Sequence, residues 1–194
     1  MNATRLAFHD VVLLEPKVFG DARGVFFESY NQKVFEAATG LSHRFVQDNH
    51  SVSAKGVVRG LHYQLPPHAQ GKLIRVVAGA VFDVVVDIRR GSQHFGHWIG
   101  VELSAQNRRQ LWVPEGFAHG FLALEAASEV LYKATDYYVP QSDRCILCSD
   151  PDIGIEWGEA APILSDKDKL GVPLKAAEVF EVNSPAGKSS HDIV

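Results

Sequence analysis

Short apolar runs separated by turn residues fill the first two-thirds of the chain. The clearest example, "KLIRVVAGAVFDVVVDI", covers residues 72–88 and predicts two strands joined by a turn at Ala78 and Gly79. Similar runs follow as "HWIGVEL", "RQLWVPEG", "AHGFLALE" and "EVLYKATDYY". Short strands in this succession predict a β-sandwich or a β-barrel rather than a parallel sheet covered by helices.

Two segments carry helix signals. The segment from Asn31 to Ala38 is amphipathic and is followed by Gly40, a residue type that commonly ends helices. In the last third of the chain, Ser165 precedes Asp166 and Asp168, which is the pattern of a helix N-terminus. We therefore expect a mainly β fold with a few short helices near the N-terminus and the C-terminus.

Composition adds limits on size, partners and location. With 194 residues, 46% of them hydrophobic, the chain suits one domain, which we expect to cover residues 1–180, with a polar, mobile tail over residues 181–194. A net charge of −4 argues against nucleic acid and favours a small anionic ligand held by a local cluster of Arg and Lys. The N-terminal stretch has no apolar run long enough for a signal or membrane segment, which predicts a cytoplasmic protein without membrane contact.

The two cysteines, Cys145 and Cys148, have a C-x-x-C spacing. This spacing occurs in redox pairs and in halves of zinc sites. A four-ligand zinc site needs a second pair nearby, and the redox motif opens a helix, whereas this one lies in a strand-like run. We therefore expect two reduced, structural cysteines in a reducing compartment.

The stretch "GVVRGLHYQLPPHAQGKLIRV" contains two candidates for chemistry. His62 is of the residue type that exchanges protons near neutral pH. In a regular strand, Gly60, His62 and Gln64 share one face and Arg59 lies on the other. Lys72 follows in the next strand, where a lysine either reaches the surface or polarises a carbonyl group. Taken alone, these residues fit a solvated surface as well as a binding cavity.

The stretch "WVPEGFAHGF" is more specific. Its Pro114, Gly116 and His119 resemble the second motif of the cupin superfamily, which implies a cupin-type double-stranded β-helix, or jelly-roll, barrel. Cupins usually hold a metal through an H-x-H pair in their first motif as well. Here that position has His62 followed two residues later by Gln64, so we expect no complete metal site.

Several single polar residues remain ambiguous at this level. Arg23, Glu28 and the Gln47–Asn49 segment read as turn residues between strands, although Arg23 and Arg59 together could clamp a pyrophosphate. Tyr132 alternates with apolar neighbours and fits a core aromatic residue at least as well as a functional one.

A resemblance to one family selects among these readings. From Phe19 to about Leu174 the chain resembles the dTDP-4-dehydrorhamnose 3,5-epimerase family. The stretches that carry this resemblance are "FGDARGVFFESY", "FVQDNHSVSAKGVVRGLHYQ", "QGKLIRVVAGAVFDVVVDIR", "LWVPEGFAHGFLAL", "YKATDYY" and "DPDIGIEW…ILSDKD". The resemblance implies a cytoplasmic homodimer that epimerises carbons 3 and 5 of dTDP-4-dehydro-6-deoxy-D-glucose in dTDP-L-rhamnose biosynthesis. It also implies an enzyme that uses neither a cofactor nor a metal.

The resemblance also implies residue roles. His62 would be the general base, oriented by Asp168, and Tyr132 would be the acid on the opposite face of the sugar. Lys72 and His119 would contact the sugar oxygens, with Lys72 near the carbonyl group. The nucleotide and its phosphates would be held, in part by a partner subunit, by Arg23, Glu28, Gln47, Asp48, Asn49, Arg59, Asp143 and Lys167. Because strict alternation puts Arg59 and His62 on opposite faces, we expect a bulge or twist at Gly60.

Three alternatives stay open on the sequence. A single-site epimerase or a ketoisomerase acting on a related nucleotide sugar would share most of these residues. A non-catalytic module that binds nucleotide sugars could keep Arg23 and Arg59 without a base or an acid. A metal-dependent cupin oxygenase would require a metal for activity.

Overall fold

The structure, a computed structural model, describes residues 1–182. Its strands are β1 (Asn2–Arg5), β2 (Val12–Glu15), β3 (Val18–Asp21), β4 (Gly24–Phe27), β5 (Gln47–Ser53), β6 (Val58–Gln64), β7 (Lys72–Ala78), β8 (Ala80–Asp87), β9 (Arg89–Arg90), β10 (Trp98–Ser104), β11 (Gln110–Val113), β12 (Phe117–Ala123), β13 (Ser128–Ala134), β14 (Asp143–Cys145) and β15 (Phe180–Glu181). The helices are α1 (Gln32–Thr39), α2 (Asp166–Lys169) and a 3₁₀ turn at Leu174–Ala176. The mainly β prediction is confirmed.

Two antiparallel sheets form the body of the fold. One has the order β1-β2-β11-β7-β13-β5 and the other the order β10-β8-β12-β6-β14. β7 and β8 lie in different sheets, so the turn predicted at Ala78 and Gly79 turns a corner between sheets rather than closing a hairpin. Gly79 has a φ of +68°, and a Cβ there would lie 2.6 Å from Ser128 Oγ, so only glycine fits this corner.

The space between the two sheets is apolar. Ile74 and Val130 of the six-stranded sheet pack with Val81 and Val85 of the five-stranded sheet. The outer face of β8 is buried as well, because Val84 packs under apolar side chains of the C-terminal third, among them Ile146, Ile153 and Leu174. The C-terminal segment thus lies against the outside of the five-stranded sheet, and it brings α2 into contact with β6.

Both predicted helices are present: α1 is shifted by one residue from the predicted bounds, and α2 begins at the predicted N-terminus. Asn31 caps α1 by accepting a hydrogen bond from the Val34 backbone, and Gly40 ends it with a φ of +73°. Ser165 caps α2, where its hydroxyl accepts a hydrogen bond from the Asp168 backbone.

The irregularity predicted at Gly60 is present in β6. The pairing with β12 shifts by one residue between His62, opposite His119, and Arg59, opposite Phe121. Gly60 has a φ of +126°, and a Cβ there would lie 2.6 Å from the Gly120 Cα. The extra residue brings Arg59 and His62 to the same cavity despite their odd spacing.

Two peripheral regions complete the fold. β3 and β4 form a separate hairpin that is exposed along most of its length. The boundary predicted at residue 180 falls inside β15, which pairs with β9, and most of the predicted tail lies outside the described residues. No helix within residues 1–182 is long and apolar enough to cross a bilayer.

Candidate active site

A cavity of about 280 Å³ opens between the two sheets. β5, β7 and β13 form one wall, β6 and β12 form the other, and α2 closes one side. The cavity is lined by Ser51, Arg59, His62, Lys72, His119, Phe121, Tyr132, Ser165, Lys167 and Asp168. The structure therefore brings together the predicted base, acid, lysine and second histidine.

His62 and Asp168 form a dyad. His62 Nε2 lies 2.7 Å from Asp168 Oδ1, and the Ser165 hydroxyl donates to the other carboxylate oxygen at 2.7 Å. Burial raises the pKa of Asp168, but hydrogen bonds from His62, Ser165 and the Gly60 backbone outweigh burial and lower it overall. The carboxylate therefore stays ionised and accepts a hydrogen bond from the Nε2–H group, which orients the ring. Nδ1 of His62 is buried and has no hydrogen-bond partner among the described residues.

Lys72 is the buried cation of the cavity. It is 8% exposed, its Nζ donates to the His62 carbonyl oxygen at 3.2 Å, and it lies 6.0 Å from the centre of the Tyr132 ring. Burial lowers the pKa of Lys72 to about 8, although the carboxylates of Asp143 and Asp83 oppose that effect. At pH 7 the ammonium form still predominates.

His119 belongs to a second histidine–aspartate pair. Its Nε2 lies 2.9 Å and 3.0 Å from the two oxygens of Asp83, which has no exposed surface. The sequence analysis missed Asp83. A lone carboxylate inside the apolar run "AVFDVVV" was the signal that could have identified it, because a buried charge requires a partner.

Tyr132 lies on the wall opposite His62. It projects from β13 of the six-stranded sheet, whereas His62 projects from β6 of the other sheet. Burial raises the pKa of Tyr132, and the charge of Asp143 raises it further. The phenol therefore stays protonated at neutral pH and can donate a proton.

Cations surround the mouth of the cavity. Arg59 is anchored to β5, where its Nε donates to Ser53 Oγ at 3.0 Å. Lys167 pairs with Asp143, which also accepts a hydrogen bond from the Tyr138 hydroxyl at 3.2 Å. Asp143 is thus joined to the cavity through Lys167.

The remaining predicted binding residues lie outside the cavity lining of this chain. Gln47 and Asn49 are hydrogen-bonded to each other at 3.0 Å and precede Ser51 on the same strand face. Asp48 points to the other face and pairs with Lys133 at 3.0 Å. Arg23, on the β3–β4 hairpin, pairs with Asp21, and Glu28 follows β4 and accepts from Asn31.

Cys145 lies beside the His62–Asp168 dyad. Its Sγ is 4.0 Å from Asp168 Oδ1, and β14 places Cys145 directly opposite His62 in the pairing with β6. Burial raises the pKa of the Cys145 thiol to about 12, with the charge of Asp168 adding to the effect. Both cysteines are free, as predicted.

The sequence model of the dTDP-4-dehydrorhamnose 3,5-epimerase family matches residues 5–176. The chain belongs to this family. The family and the cupin-type β-barrel predicted from the sequence are thereby confirmed.

Individual relatives agree with the assignment. A curated dTDP-4-dehydrorhamnose 3,5-epimerase from Pseudomonas aeruginosa is 58% identical over 181 residues, covering 93% of this chain and 99% of the relative. A crystal structure of a dTDP-6-deoxy-D-glucose-3,5-epimerase from Legionella pneumophila in complex with dTDP-4-keto-L-rhamnose has a TM-score of 0.90 and 46% identity, covering 94% of this chain and 99% of that one. A 3'-monoepimerase from Streptomyces bikiniensis in complex with dTDP-quinovose is more distant, with a TM-score of 0.83, 33% identity, and coverage of 90% and 88%.

Proposed function

We propose that this chain is an isomerase that converts dTDP-4-dehydro-6-deoxy-D-glucose into dTDP-4-dehydro-L-rhamnose, the epimerisation at carbons 3 and 5 in dTDP-L-rhamnose biosynthesis. One observation carries the proposal. A histidine–aspartate dyad and a protonated tyrosine face one cavity from opposite walls, with a buried lysine between them.

The buried lysine can stabilise the negative charge that forms when a proton is removed from the sugar. Carbons 3 and 5 both flank the keto group at carbon 4, so removing either proton places negative charge on the carbonyl oxygen. A fixed ammonium group in a site of low dielectric stabilises that enolate far better than water does. We assign this role to Lys72, with His119 as a second donor to the sugar oxygens.

The base and the acid account for inversion. With Asp168 beside it to orient the ring and to stabilise its charged form, His62 takes the proton from carbon. Tyr132 then donates a proton to the same carbon from the other face. Each epimerisation thus adds one proton to His62 and removes one from Tyr132, and exchange with solvent restores both. A positioned acid or base contributes about 10²- to 10⁴-fold in rate.

The cationic mouth suits a diphosphate. Arg59 and Lys167 line the cavity, and a planar guanidinium beside an ammonium group matches the oxygens of a nucleoside diphosphate. We assign both residues to the diphosphate and Asp143 to the placement of Lys167. The two free cysteines suit a reducing compartment, which supports the proposed cytoplasmic location.

We also propose a homodimer in which each subunit supplies the β3–β4 hairpin to the other's site. Phe19 is 53% exposed and Phe26 is 72% exposed, and such a hairpin gains stability by packing against a second copy. In that arrangement Arg23 and Glu28 would reach the partner's nucleotide, whereas Gln47, Asp48 and Asn49 on β5 would contact the nucleotide in their own subunit.

Proton NMR of dTDP-4-dehydro-6-deoxy-D-glucose in deuterated water, with the protein and a chelator present, tests the proposed reaction. The expected result is loss of the signals at both carbons. Exchange at one carbon would identify a single-site epimerase. Binding without exchange would identify a non-catalytic module, and activity that appears only on adding metal would favour a metal-dependent cupin.

A further inference from the structure

Three side chains of different metal-ligand types meet at one point, where Cys145 approaches the His62–Asp168 dyad. His62 Nε2, Asp168 Oδ1 and Cys145 Sγ all lie within 4.8 Å of one another. Each comes from a separate element: His62 from β6, Cys145 from the neighbouring β14, and Asp168 from α2. The mechanism above uses two of these groups and leaves the thiol without a role.

The donor set suits a zinc-like cation. Histidine nitrogen, cysteine sulfur and carboxylate oxygen are the three ligand types that bind zinc in proteins, and three protein ligands leave a fourth position open. A tetrahedral zinc ion keeps such ligand atoms roughly 3.3–3.6 Å apart. The dyad atoms are now 2.7 Å apart, and the sulfur is 4.0 Å from the carboxylate oxygen. These two distances need to change by only about half an ångström, within the range of ordinary side-chain motion, and the third pair of atoms, His62 Nε2 and Cys145 Sγ, lies within 4.8 Å.

We propose that the dyad and Cys145 together form an inhibitory site for zinc or a similar thiophilic divalent cation, which switches the enzyme off by occupying the base. On binding, the Cys145 thiol loses its proton to solvent and the sulfur coordinates the ion. The imidazole proton moves from Nε2, which becomes a ligand, to Nδ1. With one nitrogen bound to the ion and the other protonated, His62 has no lone pair left to accept the substrate proton, so turnover stops even while the cavity stays open.

Cys148 provides a matched control. It is 3% exposed and packs with Val58 and Leu122, and its backbone carbonyl accepts the Trp157 indole proton at 2.8 Å. Cys148 lies outside the three-residue cluster. Cys145 is therefore the cysteine that we expect to bind the ion, and Cys148 is not. The C-x-x-C spacing has no part in the proposed site.

The first experiment needs no substrate. Cadmium is added to the chelator-treated full-length protein, and the charge-transfer absorption of a cadmium–thiolate bond is followed. We expect one equivalent to saturate the signal in the wild type and in Cys148→Ser, and no signal in Cys145→Ser. Absence of the signal in the wild type, or its persistence in Cys145→Ser, would overturn the site.

The second experiment measures inhibition, and this arm rests on the proposed function. With equal substrate and zinc in every assay, zinc should lower kcat in the wild type and in Cys148→Ser, and chelator should restore it. Because loss of an outer-shell partner alone weakens metal binding about 10- to 100-fold, Cys145→Ser should need at least tenfold more zinc. Equal sensitivity of the three proteins would refute the inhibition.

Two checks keep these results separate. Cys145→Ala replaces the serine variant if the latter folds poorly, and turnover with chelator reports whether either is folded. If the wild-type protein shows no turnover in the presence of chelator, the proposed function is contradicted. The cadmium titration needs no substrate and would still decide whether the metal site exists.

Discussion

His119 donates to a carboxylate that no solvent reaches, since its Nε2 lies 2.9 Å and 3.0 Å from the two oxygens of Asp83. The same carboxylate raises the pKa of Lys72 against the effect of burial. Asp83 thus acts on the cavity in two ways: it orients His119, and it acts with Asp143 to favour the charged form of the buried Lys72.

Asp83→Asn tests this double role. The amide keeps the shape and an acceptor for His119 but removes the negative charge that favours the charged form of Lys72. We expect kcat at pH 7 to fall about tenfold or more, with a smaller change in KM, because an outer-shell partner of this kind contributes about 10- to 100-fold. Steady-state kinetics and a thermal melt check the prediction. An unchanged kcat in a folded variant would remove Asp83 from the mechanism.

His62→Ala and Arg59→Ala should separate chemistry from binding. Loss of the base should lower kcat by about 10²-fold or more while dTDP binding is kept. Loss of Arg59 should instead weaken dTDP binding, because a guanidinium contact to phosphate is made in the ground state as well as in the transition state. Calorimetry with dTDP beside steady-state kinetics gives both quantities. Near-normal turnover in His62→Ala would rule it out as the base.

The strand pattern was predictable because each apolar run carries local information. The ends of α1 were predictable for the same reason, through Asn31 and Gly40. The placement of β7 and β8 in different sheets was not predictable, because a tight turn at Gly79 serves a hairpin and a corner equally well. The strand pairing decides between them, since β7 pairs with β11 and β13 whereas β8 pairs with β10 and β12.

The candidate site was predictable where a motif or a family resemblance marked the residue. His62 and His119 have such motifs, and the conflict in strand alternation was enough to predict the bulge at Gly60. Ser51 gave no such signal, and neither the carboxylate of Asp83 in its apolar run nor the C-x-x-C spacing of Cys145 related these residues to the cavity, because that relation depends on contacts between strands that are distant in sequence. Their positions required the three-dimensional structure.

Ser165→Ala and Asp168→Asn should differ in severity. Asp168→Asn removes the charge that fixes the His62 tautomer, and we expect kcat to fall about 10²-fold or more. Ser165→Ala leaves the carboxylate in place but loses its hydroxyl donor and the cap of α2, which costs about 0.5–2 kcal/mol of stability. A milder loss of kcat with a lower melting temperature is expected, and equal loss in both variants would mean that α2 as a whole positions the dyad.

Gly60→Ala should disturb both stability and activity. Its φ of +126° is strained for any other residue, and the added Cβ would lie 2.6 Å from Gly120. Gly158→Ala is a control for strain alone, since Gly158 has a φ of +74° with nothing within 4 Å of a Cβ. The control should lose about 1–3 kcal/mol of unfolding free energy, and Gly60→Ala should lose a further 1–3 kcal/mol or so from overpacking. Denaturant unfolding measures the loss of unfolding free energy in each variant. Equal losses would show that β6 and β12 move apart at Gly60 without an energetic cost.

The exchange of hairpins between subunits can be tested by mixing two defective proteins. If Arg23 serves the partner's site, a heterodimer of Arg23→Ala and His62→Ala contains one site with both residues intact and one site with neither. Random subunit exchange makes about half of the dimers mixed, so roughly a quarter of the wild-type sites should return. Turnover after mixing and subunit exchange is compared with that of each variant alone. A mixture of His62→Ala and Tyr132→Phe is the control: both residues act within one subunit, so subunit exchange between these variants restores no site. No gain over the separate Arg23→Ala and His62→Ala proteins, with exchange verified by mass spectrometry, would place Arg23 outside the partner's site.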